Sequence, residues 1–362
     1  MNRVVKMEQL GPFADSSLQK SHAEEKKALP LTSAGPSFNF GMAASHAAIP
    51  TAVRIRGEEK KTIFKELSLL QSSPWREVEW SEDAVLRIHS RKDTLMEYIS
   101  CYKPSCEGVS QARVLLLGPF GAGKSSFISS VQSAFSGRVT NRATVGNSSA
   151  SFSKKLQSYT VRLAKSEQRA GLTLCDIMGL GEGGTTGLTL HDTLAVIKGH
   201  APEGHKFSPE QPVRSETVGY VKKPLLKDKV HCVVFVVDAS KISTYPKSLS
   251  DIFQQLRDHI SDLGVHQVAL LTHVDKICPD TARDITQVYK SMIVHQTINK
   301  AGALLGMSTS YIVPVKNYSS ELDLNKNTDI LLLSAVDHIL QYVDLYFQDN
   351  DATESVSTLT WK

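Results

Sequence analysis

The sequence predicts an α/β protein built on a doubly wound, mostly parallel sheet, and two observations carry that prediction. Apolar runs of strand length, Val114–Leu117, His231–Val237 and Val268–Leu271, read as strands buried on both faces. They alternate with stretches whose apolar residues recur at helical spacing, the order that places helices on both faces of a parallel sheet.

The elements follow in order. Residues 1–74 are dominated by Ala, Ser, Lys, Glu and Pro and carry no long periodic apolar face, so a flexible arm is expected there, with at most a short helix over 61–70. From Pro74 the character changes: Trp75, Trp80, Val85, Leu86 and Ile88 bring large side chains to bury. Region 75–110 is therefore expected to be an extension packed on the main domain, with a short helix over 93–99 beside the first strand. The main domain is expected over 111–348. Phe127, Ile128, Val131 and Phe135 mark the helix after the first strand. Gln157–Ala164 alternates, with Tyr159, Val161 and Leu163 on one face, and pairs as a hairpin with Leu172–Cys175. Tyr311–Val313 is the last strand. Helices are expected over 190–198, 248–263 and 282–305, and a final one, apolar nearly all round, over 330–347. Residues 200–228 read as a long insertion, and 349–362 as a tail.

Composition bounds the function. Hydrophobic residues make up 41% and charged residues 22%, an ordinary globular balance, and a net charge of +4 does not argue for nucleic acid. The five cysteines are scattered, and no second Cys/His pair follows Cys101 and Cys106 at zinc spacing, so no metal is expected there and a reducing cytosol fits. No uninterrupted run of the roughly 18 apolar residues a membrane span needs is present, nor a secretory, myristoylation or prenylation signal. A cytoplasmic protein without a stable membrane anchor is the expectation.

The chemistry sits in four places. Gly118-Pro119-Phe120-Gly121-Ala122-Gly123-Lys124-Ser125 fits the phosphate-loop pattern, and it lies between a strand and a helix, as that loop must. Backbone N–H groups of Gly118, Gly121, Ala122, Gly123, Lys124, Ser125 and Ser126 would converge on phosphates at the positive end of the helix dipole. Lys124 would reach the β and γ phosphates, and the Ser125 hydroxyl would hold Mg²⁺. Asp176-Ile177-Met178-Gly179 ends a strand: Asp176 would hold the Mg²⁺ shell, and the Gly179 N–H would reach the γ-phosphate. Thr272-His273-Val274-Asp275 ends another strand, where Asp275 would accept from guanine N1 and N2, a donor pair adenine lacks. His273 stands where lysine is usual, and its ring would stack on the base instead. Ser319 and Ser320, after the last strand, would offer backbone N–H to guanine O6.

This order of motifs is that of a P-loop GTPase domain binding GTP or GDP with Mg²⁺. The chain resembles the interferon-induced protein 44 family. The resemblance runs from Pro74-Trp75-Arg76-Glu77-Val78-Glu79-Trp80 through the phosphate loop, Cys175–Leu180, Leu226–Val233 and Ala269–Asp275 to Pro314–Glu321. It implies an interferon-induced, cytoplasmic, GTP-binding protein of antiviral innate immunity, with protein partners in immune signalling. Some members carry a further N-terminal folded domain, for which 1–74 is too short and too polar.

Turnover is the open question. Where many Ras-like enzymes hold a water-orienting Gln, this chain has Leu180, so hydrolysis is expected to be slow, or absent in a nucleotide-binding scaffold. Glu182, Arg138 and Arg142 are weaker helpers, and self-association is the analogy from other interferon-induced GTPases that lack the Gln. Thr140, ahead of Thr144, is the candidate threonine that senses the γ-phosphate. The rival class is an ATP-using kinase or ATPase, against which Thr272 and Asp275 argue.

Overall fold

The structure, a computed structural model, describes residues 70–359 apart from 79, 81–89, 142, 144–154, 163–168, 182–186 and 209. The arm up to residue 69, Val85, Leu86, Ile88, Leu163, Arg142, Thr144 and Glu182 lie outside the described residues.

Among the described residues, six strands form one sheet: β1 (Ala112–Leu117), β2 (Gln157–Arg162), β3 (Arg169–Asp176), β4 (Cys232–Asp238), β5 (His266–Thr272) and β6 (Ile312–Pro314). Their order is β2-β3-β1-β4-β5-β6. β2 pairs antiparallel with β3, as the alternation of Gln157–Arg162 requires, and every other pair is parallel. This is the mostly parallel α/β sheet of the P-loop GTPase type. All seven residues of β4 are buried. Successive strand side chains point to opposite faces, so both faces of the sheet centre are covered.

Among the described residues, six helices of eight or more residues do the covering: α1 (Arg91–Cys101), α2 (Lys124–Ser136), α3 (Leu190–Ile197), α4 (Lys247–Asp262), α5 (Met292–Leu305) and α6 (Lys326–Leu359). In α4, Leu249, Phe253, Leu256 and Ile260 form one buried stripe, and the Phe253 ring meets Phe235 of β4 edge-on at 5.6 Å. Each such side chain contributes about 2 kcal/mol of apolar burial.

The extension is pinned at two places. Trp75 stacks on His295 with ring centroids 5.0 Å apart, and Arg76 donates to the Thr309 and Ile312 carbonyls. Helix α1, capped by Ser90 and Asp93, is fixed to α6 through Lys92–Asp329 at 2.6 Å and Tyr102–Asp344 at 2.7 Å. It therefore lies against α6 and the β3 side of the sheet, where Gly171 N–H donates to the Tyr102 carbonyl, rather than beside β1.

Three segments differ from the sequence expectation. The helix expected over 282–305 is broken, because Asp284 is extended (φ −140°, ψ 106°) and its carboxylate caps Thr286 N–H. Ser291 then starts α5 afresh by accepting from Val294 N–H at 3.2 Å. Short polar side chains compete for backbone donors, which is how they end and begin helices. The insertion over 200–228 has little regular structure, yet it is tied down: Phe207 and Val213 are buried, and Val213 N–H donates to Asp192 at 2.7 Å. Asp192 is thereby a buried structural acceptor. Helix α6 starts earlier than expected and runs on past Asp349. Over Lys326–Asp351 it is long and apolar enough to cross a membrane, but 61% of its most apolar stretch is buried within the protein, as in a core helix.

Candidate functional site

The strand order turns at β1: β3 and then the edge strand β2 lie on one side of it, and β4, β5 and β6 on the other. Ligands of open α/β sheets bind at the carboxyl ends of strands at such a turning point. The glycine loop lies there. Gly121 (φ 70°) and Gly123 (φ 94°) adopt left-handed backbone, which glycine alone enters without strain. Gly118 packs so closely on Val236 of β4 that a Cβ would collide with the Val236 carbonyl. The loop then feeds α2, whose first residue is Lys124.

Lys124 is buried, and its Nζ donates to the Gly118 and Pro119 carbonyls, both at 2.9 Å. Burial pushes its pKa down to about 8, partly offset by the nearby Asp176 carboxylate. Ser125 Oγ donates to Asp176 Oδ2 at 2.6 Å, and Asp176 Oδ1 accepts from Ile177 N–H at 3.1 Å. These two hard oxygen donors, from the start of α2 and the end of β3, suit Mg²⁺, which takes one or two side-chain oxygens and completes its shell with water and phosphate. Among the described residues no group of three or more His, Cys, Asp or Glu side chains forms a fuller metal cage. Gly179 backs onto the Phe120 ring, leaving no room for a Cβ, and Leu180 N–H donates to the Gly118 carbonyl at 3.0 Å.

On the other flank, Thr272 Oγ1 lies 2.8 Å from the Ala122 carbonyl and 3.1 Å from the Val237 carbonyl. Asn317 Nδ2 donates to the Gly123 carbonyl at 3.1 Å, while its Oδ1 is buried with no hydrogen-bond partner among the described residues. The loop is thus buttressed from β5 and from the segment after β6. His273 follows Thr272 in a left-handed conformation (φ 57°), and half-buried Asp275 stands in the short turn Val274–Ile277.

No family model matches the chain. It is 36% identical over 255 residues to mouse interferon-induced protein 44, a match covering 70% of this chain and 60% of that protein. Human interferon-induced protein 44 is 36% identical over 258 residues (71% and 58%), and the human interferon-induced protein 44-like protein is 34% identical over 267 (73% and 59%). The chain is a homologue of the interferon-induced protein 44 proteins. It spans 58–60% of the length of these three relatives. Solved structures of similar fold include Arabidopsis thaliana Toc33 in complex with GDP and Mg²⁺ (16% identity, 64% of this chain and 84% of that one, TM-score 0.35). A probable GTP-binding protein engB is another (12% identity, 64% and 98%, TM-score 0.33). At such scores the fold assignment rests on this chain's own sheet order.

The structure brings several of the sequence motifs together. Gly118, Gly121, Ala122, Gly123, Lys124, Ser125, Ser126, Asp176 and Gly179 converge on one loop. Thr272 is fully buried and holds that loop from behind. Ser319 and Ser320 are exposed, and their N–H groups both donate to Glu321 Oε2, at 2.7 and 3.1 Å. Thr140 does not join the site. Its N–H donates to Ser133 Oγ at 2.8 Å, more than two helical turns along α2 from Lys124. The chain then runs back, with Ala143 N–H on Ser129 Oγ at 3.1 Å; Thr144 lies outside the described residues. Arg138 is exposed at the same far end. Sequence reasoning missed Asn317, whose tie to Gly123 has no local signature. It also missed Lys241, whose Nζ lies 3.7 Å from where a Cβ on Gly121 would stand.

Proposed function

We propose that this chain binds GTP or GDP with Mg²⁺ and acts as a nucleotide switch or slow GTPase in the interferon-induced antiviral response of the cytoplasm. The observation that carries this reading is the pairing of Ser125 Oγ with Asp176 Oδ2 at 2.6 Å beside a glycine loop that Thr272 and Asn317 buttress. Phosphates would be held in the loop by backbone N–H groups at the positive end of the α2 dipole. When bound, Mg²⁺ would bridge phosphate oxygens and neutralise their charge. Asp275 supplies the acceptor for the guanine edge, and buried Asn317 Oδ1 is a further acceptor awaiting a donor. The names of the interferon-induced protein 44 relatives support interferon induction.

A second reading has one specific observation behind it. Leu180 is 2% exposed and paired by its backbone to Pro119, so nothing at that position orients water. The protein then binds nucleotide without turning it over and serves as a scaffold. Titration calorimetry with GTP, GDP and ATP in Mg²⁺, beside Asp275→Asn, tests the main reading. Binding of GTP and GDP but not ATP, with the preference lost in the variant, is the expected result. Equal binding of ATP overturns it. Single-turnover hydrolysis at low and high protein concentration separates the switch from the scaffold and tests self-association.

A further inference from the structure

His273 occupies the place of a lysine, and its surroundings dictate the state of its ring. Nδ1 has two polar neighbours: Thr272 Oγ1 at 3.0 Å and Asp238 Oδ1 at 3.3 Å. The Thr272 hydroxyl has one proton, and two carbonyls, Ala122 and Val237, compete for it. Towards His273 its oxygen therefore accepts. Asp238 is a carboxylate at the end of β4, 3% exposed, that only accepts, and its Oδ1 is anchored by Ser240 N–H at 2.9 Å and Ser240 Oγ at 2.7 Å. Burial alone would raise its pKa, but the hydrogen bonds from His273 and Ser240 outweigh it and hold the group ionised. Two acceptors facing one ring nitrogen put the proton on that nitrogen. The backbone agrees: His273 is the one non-glycine residue with positive φ among the described residues, and such a conformation persists only where its neighbours over-determine it.

We propose that Asp238 is a positioning residue for nucleobase recognition: it holds the His273 ring by its Nδ1–H, and in the neutral ring this leaves Nε2 as an acceptor for the base. A lysine offers only donors, so this site presents an acceptor edge that the usual residue cannot. The inference rests on the guanine-nucleotide reading, and the following experiment separates the two.

Nitrogen-15 NMR of the full chain with labelled histidine, free of nucleotide, reads the tautomer directly, the His273 signal being assigned with His273→Gln. The expected spectrum shows Nδ1 protonated and Nε2 bare. Nε2–H in the wild-type protein overturns the proposal. Asp238→Ala should mix the tautomers and weaken Mg²⁺–GDP binding about fivefold, a coupling of the size expected for residues in contact. Asp238→Asn should restore both, because Ser240 N–H keeps its amide oxygen at the Oδ1 position. In a His273→Ala background, where Asp238 has no ring to hold, Asp238→Ala should cost no further GDP affinity, and a further loss of about fivefold there overturns the proposal. If Asp238→Ala does not fold, the wild-type spectrum and Asp238→Asn decide. A wild-type protein that binds no GDP sinks the guanine reading, while the spectrum still reports whether Asp238 sets the ring.

Discussion

Thr272 Oγ1 lies 2.8 Å from the Ala122 carbonyl, so the residue that opens the base-side motif is a strut under the phosphate loop. The Cα partner of Thr272 across the sheet is Asp238, and Ala239 N–H donates to the Thr272 carbonyl. Phosphate and base sides are thus joined through one buried hydroxyl. Thr272→Val keeps the shape and removes the donor. We expect it to cost about 1 kcal/mol of stability, the net worth of a typical hydrogen bond. GTP and GDP affinity should fall severalfold, to the same extent for both. Thermal melting and calorimetry check this, and an unchanged affinity would show that the loop holds its form without the strut.

Lys124 gives a pH prediction with a definite sign. Its amine is pushed down to about 8 by burial in the free protein. Phosphates beside it favour the charged form and raise that pKa, so nucleotide binding takes up a proton once pH exceeds the free value. Affinity should be flat below pH 8 and then fall by about tenfold per unit until the bound-state pKa is reached. Lys124→Ala should lose both the affinity and this slope. Calorimetry in buffers of different ionisation heat counts the proton.

Much of this was legible in the sequence, and what was not has two causes. Leu115, Leu116 and Val233–Val237 announce strands because local apolarity is a local property. The glycine loop and the Asp176 strand end are likewise local patterns tied to one chemistry. Asn317 on Gly123, Thr272 on Ala122 and Asp238 by His273 join residues far apart in the chain, and no periodicity encodes such pairs. The break near Asp284 was hidden for another reason: apolar residues continue through it at helical spacing, while a single polar side chain captures the backbone donor.

Thr140 and Thr144 call for separate substitutions. Thr140 is held by Ser133 at the far end of α2. Thr140→Ala should therefore leave affinities for GTP and GDP unchanged. Thr144 follows Ala143, which is already back beside Ser129. Thr144→Ala should lower GTP affinity severalfold and leave GDP untouched, the pattern of a group that meets only the γ-phosphate. A reversed result would return Thr140 to the site.

Leu180 is part of the core, so restoring glutamine there should not restore catalysis. Leu180→Gln buries an amide in place of a core side chain, and an amide left without a partner costs about 1–3 kcal/mol. Single-turnover hydrolysis should stay as slow as in the wild-type protein. A rate increase of tenfold or more would mean that the position swings towards the phosphates when nucleotide binds.

Acid should weaken the fold through His231, which lies at the entry to β4. Its Nδ1 accepts from Arg113 N–H at 2.9 Å, and its Nε2 lies 2.9 Å from the Leu226 carbonyl, so the neutral ring joins β1 to the loop before β4. Burial pushes its pKa down to about 4 from 6.5. Between those values the unfolded chain binds the proton and the folded one does not, so stability falls as pH drops through that window and is complete above it. The loss is on the order of 3 kcal/mol. His231→Gln can accept from Arg113 and donate to Leu226 without titrating. Urea unfolding at pH 7 and pH 4.5 should show the wild-type protein losing much more stability than the variant. Equal losses would place the acid sensitivity elsewhere, with His338, whose pKa burial also pushes down to about 4, the next group to replace.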